Sequence, residues 1–347
     1  MIGFCGTRRR MAAPSAKLFS AKRALTLLVV LAALAGPACI LSTVAAAQSP
    51  AWPQRPVKFL LPFGAGSATD VAARMMSEKL AVRWGRPVII ENKPGADGLL
   101  AINAFVAAND DHVLLYASSA SFNAHPYMQE KLSYDLERDL LPIARVTDTL
   151  LSAAIPAALG PKSLTEFVAL AKAKPNTLNA AGAAGVPEFT LGYFLRVHDL
   201  PVTKIPYRDV VPAATDLAAG QIQFLLSSVA IVRALSESGR VRILAVTSRQ
   251  RATILPDVPT IYEAGFPALN VETTAGLYGP KSMSRELRER LSKDVIAVVS
   301  DQAITQKLID TGQAVRLGGP DELAQTLKEQ AEQMATVAKV LGLKSSK

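Results

Sequence analysis

The sequence predicts an α/β protein of two lobes joined by two crossing strands, with a ligand cleft between the lobes. Three observations predict it. Apolar runs alternate with helix-period segments in two successive sets, a long extended apolar segment separates the sets and a second follows the later one, and the strand–helix junctions are rich in glycine and small residues. Half of the 347 residues are apolar and 6% are aromatic, a composition suited to globular α/β cores.

Residues 1–47 read as a signal peptide. Arg8, Arg9, Arg10, Lys17, Lys22 and Arg23 precede an apolar run from Ala24 to Leu41, and Ala45-Ala46-Ala47 supplies small residues for cleavage before Gln48. This leader holds six of the 38 basic residues and none of the 29 acidic ones, so the formal charge of +9 falls to +3 without it. No basic block remains to argue for nucleic acid. Cys5 and Cys39 both lie in the leader, which excludes disulfides and thiol nucleophiles from the rest and suits an oxidising compartment.

In the first set, Val57 to Leu61 reads as a strand before a helix from Val71 to Trp84. Val88 to Glu91 leads to a helix from Leu99 to Ala107, and Val113 to Ala117 leads through a loop to a short helix. The second set begins where Ser163 caps a helix through Ala173. Strands at Thr177 to Ala180, Thr203 to Pro206, Phe224 to Leu226 and Arg242 to Val246 alternate with helices at Phe189 to Val197, Ala213 to Ala219 and Ile231 to Ser238. This alternation predicts βαβ units with parallel strands. Ile143 to Ile155 and Val271 to Gly279 are the expected crossings, and helices at Ser284 to Ser300, Gln302 to Thr311 and Asp321 to Val340 return to the first lobe. The expected division is residues 48–148 with 272–347 in lobe 1, and 149–271 in lobe 2.

The loop Pro62-Phe63-Gly64-Ala65-Gly66-Ser67-Ala68-Thr69-Asp70 joins a strand to a helix N-terminus, where unpaired N–H groups suit an anion and Ser67 and Asp70 suit capping. It lacks the third glycine of a dinucleotide fingerprint and the lysine of a phosphate loop, so no nucleotide is expected. Two further loops hold equivalent places: Ala117 to Asn123, with Ser118, Ser119, Ser121 and Asn123, and Ala180 to Gly185, with Gly182 and Ala183. One loop from each lobe would clamp a ligand between opposed helix N-termini. Phe63 and Tyr207 offer flat apolar surface for an aromatic ring. His112, expected to face solvent, His125 and His198, expected to end a helix, lack metal-ligand spacing, and Ser67 or Ser119 would be a nucleophile only beside His125. Neither a metal, a cofactor nor an enzyme is expected.

Over essentially all of the chain beyond the leader, the sequence resembles the Bug, or tripartite tricarboxylate transporter receptor, family of bacterial extracytoplasmic solute-binding proteins. The resemblance rests on Trp52-Pro53-Gln54-Arg55-Pro56-Val57, on the Pro62 to Asp70 loop, on Val88-Ile89-Ile90-Glu91-Asn92-Lys93-Pro94-Gly95-Ala96, on Ile205-Pro206-Tyr207-Arg208 with Asp216 to Gln221, and on Leu255 to Thr260 with Glu263-Ala264-Gly265. It implies a type II periplasmic-binding-protein fold in the periplasm and capture of a small carboxylate for delivery to a membrane permease; a monomer is the default expectation for a cleft protein that must open and close. Phe63, Ala65, Gly66, Ser67, Thr69 and Asp70 carry over as ligand-binding positions, and Ser118, Ser119, Ser121 and Asn123 more loosely. The chain departs from the pattern at Ser67, Asp97 and Asp111, where glycine is usual, across Gly182 to Glu188, at Ser227, where many members have aspartate, and at Thr274, near a common tryptophan. Loss of that aspartate implies a carboxylate without an amino group. Alternatives are a ligand sensor acting on a sensor kinase and, outside binding, a small-molecule hydrolase.

Overall fold

The computed structural model describes residues 52–183, 185–207 and 210–346; the leader and Arg208 lie outside them. The chain runs through β1 (Val57–Leu61), α1 (Ala68–Trp84), β2 (Val88–Asn92), α2 (Leu99–Ala108), β3 (Val113–Ser118), α3 (Ser119–Met128) and the single turn α4 (Leu136–Asp139). It crosses along β4 (Leu141–Thr149) into β5 (Leu151–Pro156), then builds α5 (Leu164–Ala173), β6 (Leu178–Gly182), α6 (Val186–Val197), β7 (Val202–Lys204), α7 (Val210–Ala218), β8 (Phe224–Ser228), α8 (Val229–Glu237) and β9 (Val241–Val246). It returns through β10 (Thr273–Gly279) to α9 (Arg285–Val299), α10 (Gln302–Asp310), β11 (Gln313–Gly318) and α11 (Pro320–Leu341). No helix of the described residues is long and apolar enough to cross a membrane.

Two sheets result, ordered β11-β4-β10-β3-β1-β2 and β7-β6-β8-β5-β9. The parallel pairing expected from βαβ units holds for β2-β1-β3 and for β7-β6-β8. The crossing strands correct the rest: β10 is antiparallel to β3 and β4, and β5 is antiparallel to β8 and β9. A strand that arrives from the other lobe has no crossover helix to turn it around, so it enters against the local direction. β11 was not anticipated, because Gln313–Gly318 lacks an apolar run and is buried chiefly at its ends.

Both sheets are covered on both faces, which explains their almost continuous apolar strands. In β1, Val57, Phe59 and Leu61 point to a core shared with Met76 and Leu80 of α1 and with Leu291, Val295 and Leu308 from α9 and α10. Leu60 points the other way, to Ile102, Phe105, Phe122, Tyr278, Leu323 and Leu327. The second sheet repeats the scheme, with Leu151, Ala153 and Ile155 against Phe167, Phe194 and Phe224, and Ala154 against Ala213, Leu217 and Val232.

Helix α11 bridges the halves. Its first turns lie on the first sheet through Leu323 and Leu327, and its last turns pack Met334, Val337 and Ala338 beside Phe189 and Tyr193 of α6. The approach to the sheet is close: a Cβ on Gly276 of β10 would lie 2.8 Å from a Leu323 methyl and 3.1 Å from the Ala144 carbonyl oxygen.

A buried polar joint ties these parts. Thr274 Oγ1 donates to Asp148 Oδ1 at 2.8 Å and accepts from Gln330 Nε2 at 3.1 Å, while the Thr274 N–H donates to Ser119 Oγ at 3.0 Å. Asp148 in turn accepts from Arg145 Nη2 at 2.6 Å. Thr274→Val keeps the side-chain shape and removes only the hydroxyl. It is expected to lower the unfolding free energy by about 1–3 kcal/mol, because buried polar groups lose their partner; an unchanged urea midpoint would show that the joint adds nothing to stability.

Candidate functional site

The loop after β1 is braced from within. Ser67 Oγ caps α1 by accepting from the Asp70 N–H at 3.2 Å. Asp70, 2% exposed, accepts from the Gly66 N–H and from Arg74 Nε through Oδ2, and from Asn92 Nδ2 through Oδ1, all at 2.9 Å. The same Asn92 amide donates to the Phe63 carbonyl at 3.0 Å. Burial alone would raise the Asp70 pKa, but the Arg74 guanidinium, the Gly66 N–H and the Asn92 amide together hold it below the ordinary carboxylate range. Asp70 therefore shapes the loop rather than facing its open side. The Gly66 amide, expected to be available to an anion, is already donated to Asp70.

The second segment differs from the expected loop. Helix α3 starts directly after β3, because Ser118 is itself the cap, its Oγ accepting from the Ala120 N–H at 3.3 Å. Ser119 Oγ is engaged by Thr274. Asn123 is buried, and its Oδ1 has no hydrogen-bond partner among the described residues; with Ser119 and Gln330 it lines a small space of about 10 Å³, scarcely the room of one water.

In the second half, the Ala183 N–H donates to the Leu226 carbonyl at 2.9 Å. Gly182 admits the close approach of α6, since a Cβ there would lie 2.7 Å from Glu188 Cα and 3.0 Å from the Pro187 oxygen. Gly185, at φ 86°, occupies the cap position of α6, and a Cβ on it would lie 3.5 Å from the Ala120 oxygen. The N-terminus of α6 thus meets that of α3.

At this meeting point lies a cavity of about 400 Å³. Its walls are Pro62 and Phe63, the turn Gly95 to Gly98, residues Ala120, Ser121, Ala124 and Met128 of α3, and Gly185. Of the expected site residues, Phe63 and Ser121 lie on this wall. Ala65 and Gly66 are exposed beside it, Ser67 and Thr69 are half-buried, and Ser118, Ser119, Asn123, Gly182 and Ala183 stand behind it in the roles just described. Tyr207 donates its hydroxyl to Asp216 Oδ2 at 2.6 Å and packs beside the core of the second sheet; burial and Asp216 push its pKa up to about 12. Ser227 is fully buried, with no partner for its hydroxyl among the described residues. The turn Gly95 to Gly98, quoted only in part for its family resemblance, is the wall that sequence reasoning missed. Its signal was Asp97 in place of a usual glycine.

The histidines are committed elsewhere. His125 Nε2 faces the Asp97 carbonyl oxygen at 3.0 Å and so carries the proton, which leaves Nδ1 to accept from the Tyr134 hydroxyl at 2.8 Å. Neither nitrogen is bonded to Ser67 or Ser119. His112 is buried, correcting its expected exposure, because the Gln54 N–H donates to its Nε2 and its Nδ1–H donates to Asp111 Oδ1. Asp110, Asp111 and His112 are close enough to share a cation, but Arg55 pairs with Asp110 and the ring is bonded on both sides. His198 ends α6 as expected, yet burial against Phe194 and Phe266 lowers its pKa, with Lys172 adding to the effect, and disfavours the charged form expected to suit the helix end.

Two α/β lobes with a small-molecule cavity at apposed helix N-termini define the periplasmic-binding-protein class. The chain belongs to the family described as tripartite tricarboxylate transporter family receptor, which residues 72–343 match. It is 31% identical over 312 residues to a UPF0065 protein of Bordetella bronchiseptica, covering 90% of this chain and 93% of that one. It is 27% identical to protein BugT of Bordetella pertussis, covering 84% and 91%. Among solved structures, MatC from Rhodopseudomonas palustris with bound malate superposes with a TM-score of 0.70 at 27% identity, over 82% of this chain and 99% of that one. The periplasmic binding protein BugD superposes with 0.72 at 26%, over 84% and 99%.

Asp70→Asn is expected to cost about 1–3 kcal/mol near neutral pH by weakening three hydrogen bonds to a buried charge. The folded-state pKa of Asp70 is depressed, so its contribution is present above the ordinary carboxylate range and is lost as pH falls through the folded value. Unfolding free energies of wild type and variant, measured in denaturant, should therefore converge below about pH 4. A pH-independent gap would assign the loss to shape alone.

Proposed function

We propose that this chain is an extracytoplasmic receptor that captures a small carboxylate in the cavity between its lobes and delivers it to a tripartite tricarboxylate-type permease in the membrane. One observation carries the reading: a cavity of about 400 Å³ where the N-termini of α3 and α6 meet, with their positive dipole ends directed toward one region. The malate held by MatC, a protein with the same fold and 27% identity, supports a carboxylate as the ligand class. The basic and apolar leader of residues 1–47 supports export to the periplasm, and residues 48–148 with 272–347 closing on 149–271 as a monomer is the motion that capture would use. Phe63 and Ser121 contact the ligand, with the amides of the Ala65 to Thr69 loop beside them.

Thermal unfolding of the protein from Gln48 onward, refolded to remove carried-over ligand, tests this against mono-, di- and tricarboxylates and their amides. A ligand at about 100 times its dissociation constant adds roughly 2.7 kcal/mol, a visible rise in Tm. A rise with a carboxylate and none with its amide is expected. Equal rises with both, or none with either, would overturn the carboxylate reading.

A further inference from the structure

The four residues of the turn between β2 and α2, Gly95 to Gly98, all stand at positive φ, at 123°, 48°, 53° and 97°. Glycine occupies that region freely, but Ala96 and Asp97 carry a Cβ, so the centre of the turn is strained. It is closed by the Gly98 N–H donating to the Gly95 carbonyl at 3.0 Å and by the Leu99 N–H donating to that of Ala96. Gly95, Ala96 and Asp97 are exposed, yet the turn forms a wall of the cavity and is fitted closely into it: a Cβ on Gly98 would lie 3.1 Å from Pro62 Cβ and 3.4 Å from Ser121 Oγ. A strained backbone keeps one shape only where its surroundings hold it.

His125, fully buried on α3, provides such a hold through the Nε2–H that donates to the Asp97 carbonyl at 3.0 Å. That donation needs the proton on Nε2, and Tyr134 secures it. The Tyr134 hydroxyl donates to Nδ1 at 2.8 Å, and the two rings meet edge to face with centroids 6.0 Å apart. With the proton on Nδ1, the Asp97 carbonyl would face a lone pair. Burial lowers the pKa of the ring, which keeps it neutral near pH 7 and leaves Nδ1 able to accept.

We propose that His125 is a positioning residue for ligand capture: through the Asp97 carbonyl it holds the Gly95 to Gly98 turn in the shape of the cavity wall before a ligand arrives. The proposal rests on the carboxylate reading above for what is captured. A ligand that meets a loose turn must first order it, so its apparent dissociation constant rises as the fraction of molecules with the wall in place falls.

Two variants separate holding the wall from filling the core. His125→Gln sets an amide near the place of Nε2 and keeps a donor for Asp97, whereas His125→Asn sets its amide near Nδ1 and gives that donor up. Each removes the ring and one of its two hydrogen bonds, so both should lose stability to a similar extent. Without ligand, exchange of the Gly98 amide with solvent, followed by NMR, should be about tenfold faster in His125→Asn and within about twofold of wild type in His125→Gln. Tyr134→Phe, which disturbs packing least, should speed the same amide by a smaller factor. Calorimetric titration with malate, succinate and citrate should show the dissociation constant of each that binds raised by His125→Asn and nearly unchanged by His125→Gln. Gly98 exchange unchanged in both His125→Asn and Tyr134→Phe, or affinities that fall equally in the two His125 variants, would overturn the positioning role and leave the carboxylate reading standing. Failure of the wild-type protein to bind any of the three, in a protein that melts cooperatively, would overturn the carboxylate reading and the role in capture with it.

Discussion

The architecture turns on the side chain of Thr274. The residue is fully buried; its hydroxyl joins the two crossing strands to each other at Asp148 and to the long bridging helix at Gln330, while its backbone N–H ties them to the helix that begins at Ser119. A hydroxyl suits this place because it donates and accepts in one small volume. Asp148 needs a donor, Gln330 needs an acceptor, and the threonine supplies both where a tryptophan would supply one donor and far more bulk. The helix that supplies Ala120, Ser121, Ala124 and Met128 to the cavity wall is tied to this joint at Ser119, and through His125 it holds the Asp97 turn.

The cavity is built from backbone more than from side chains. Where α3 and α6 meet, Gly185 and Ala120 are small enough for the two helix ends to face each other without an intervening side chain. The charged residues close to the Phe63 loop neutralise one another: Asp70 and Arg74 pair, and Asn92 joins that pair to the Phe63 carbonyl. A preformed wall of this kind needs little rearrangement to accept a ligand.

Much of this was legible before the structure. The strands were readable because both sheets are buried on both faces, so Val57 to Leu61 and Phe224 to Leu226 stand out as apolar runs. Some helix starts were readable from a capping serine, as at Ser67, Ser163 and Ser284. Ser118 misled for the opposite reason: the serines from 118 to 121 look like a loop, and only the hydrogen bond from Ala120 shows the first of them to be a cap. The edge strand at Gln313 to Gly318 carried no apolar signal. The roles of Asp70 and Ser119 were hidden because their partners, Asn92 and Thr274, are distant in sequence or belong to the other crossing. The turn at Asp97 was half visible: its unusual residue could be read, but its place on the cavity wall depends on His125 reaching across from another helix.

The two crossings lie side by side. Thr149 and Thr273 are paired across β4 and β10, and just beyond them the Thr247 side chain donates to the Val271 carbonyl while its N–H donates to that of Leu151. A single connection would act as a ball joint, free to twist one lobe over the other. Two strands pinned at neighbouring points, with α11 lying across both lobes, resist that twist. These three connections hold Gly185 opposite Ala120. Whatever enters the cavity is met by the same pair of helix ends.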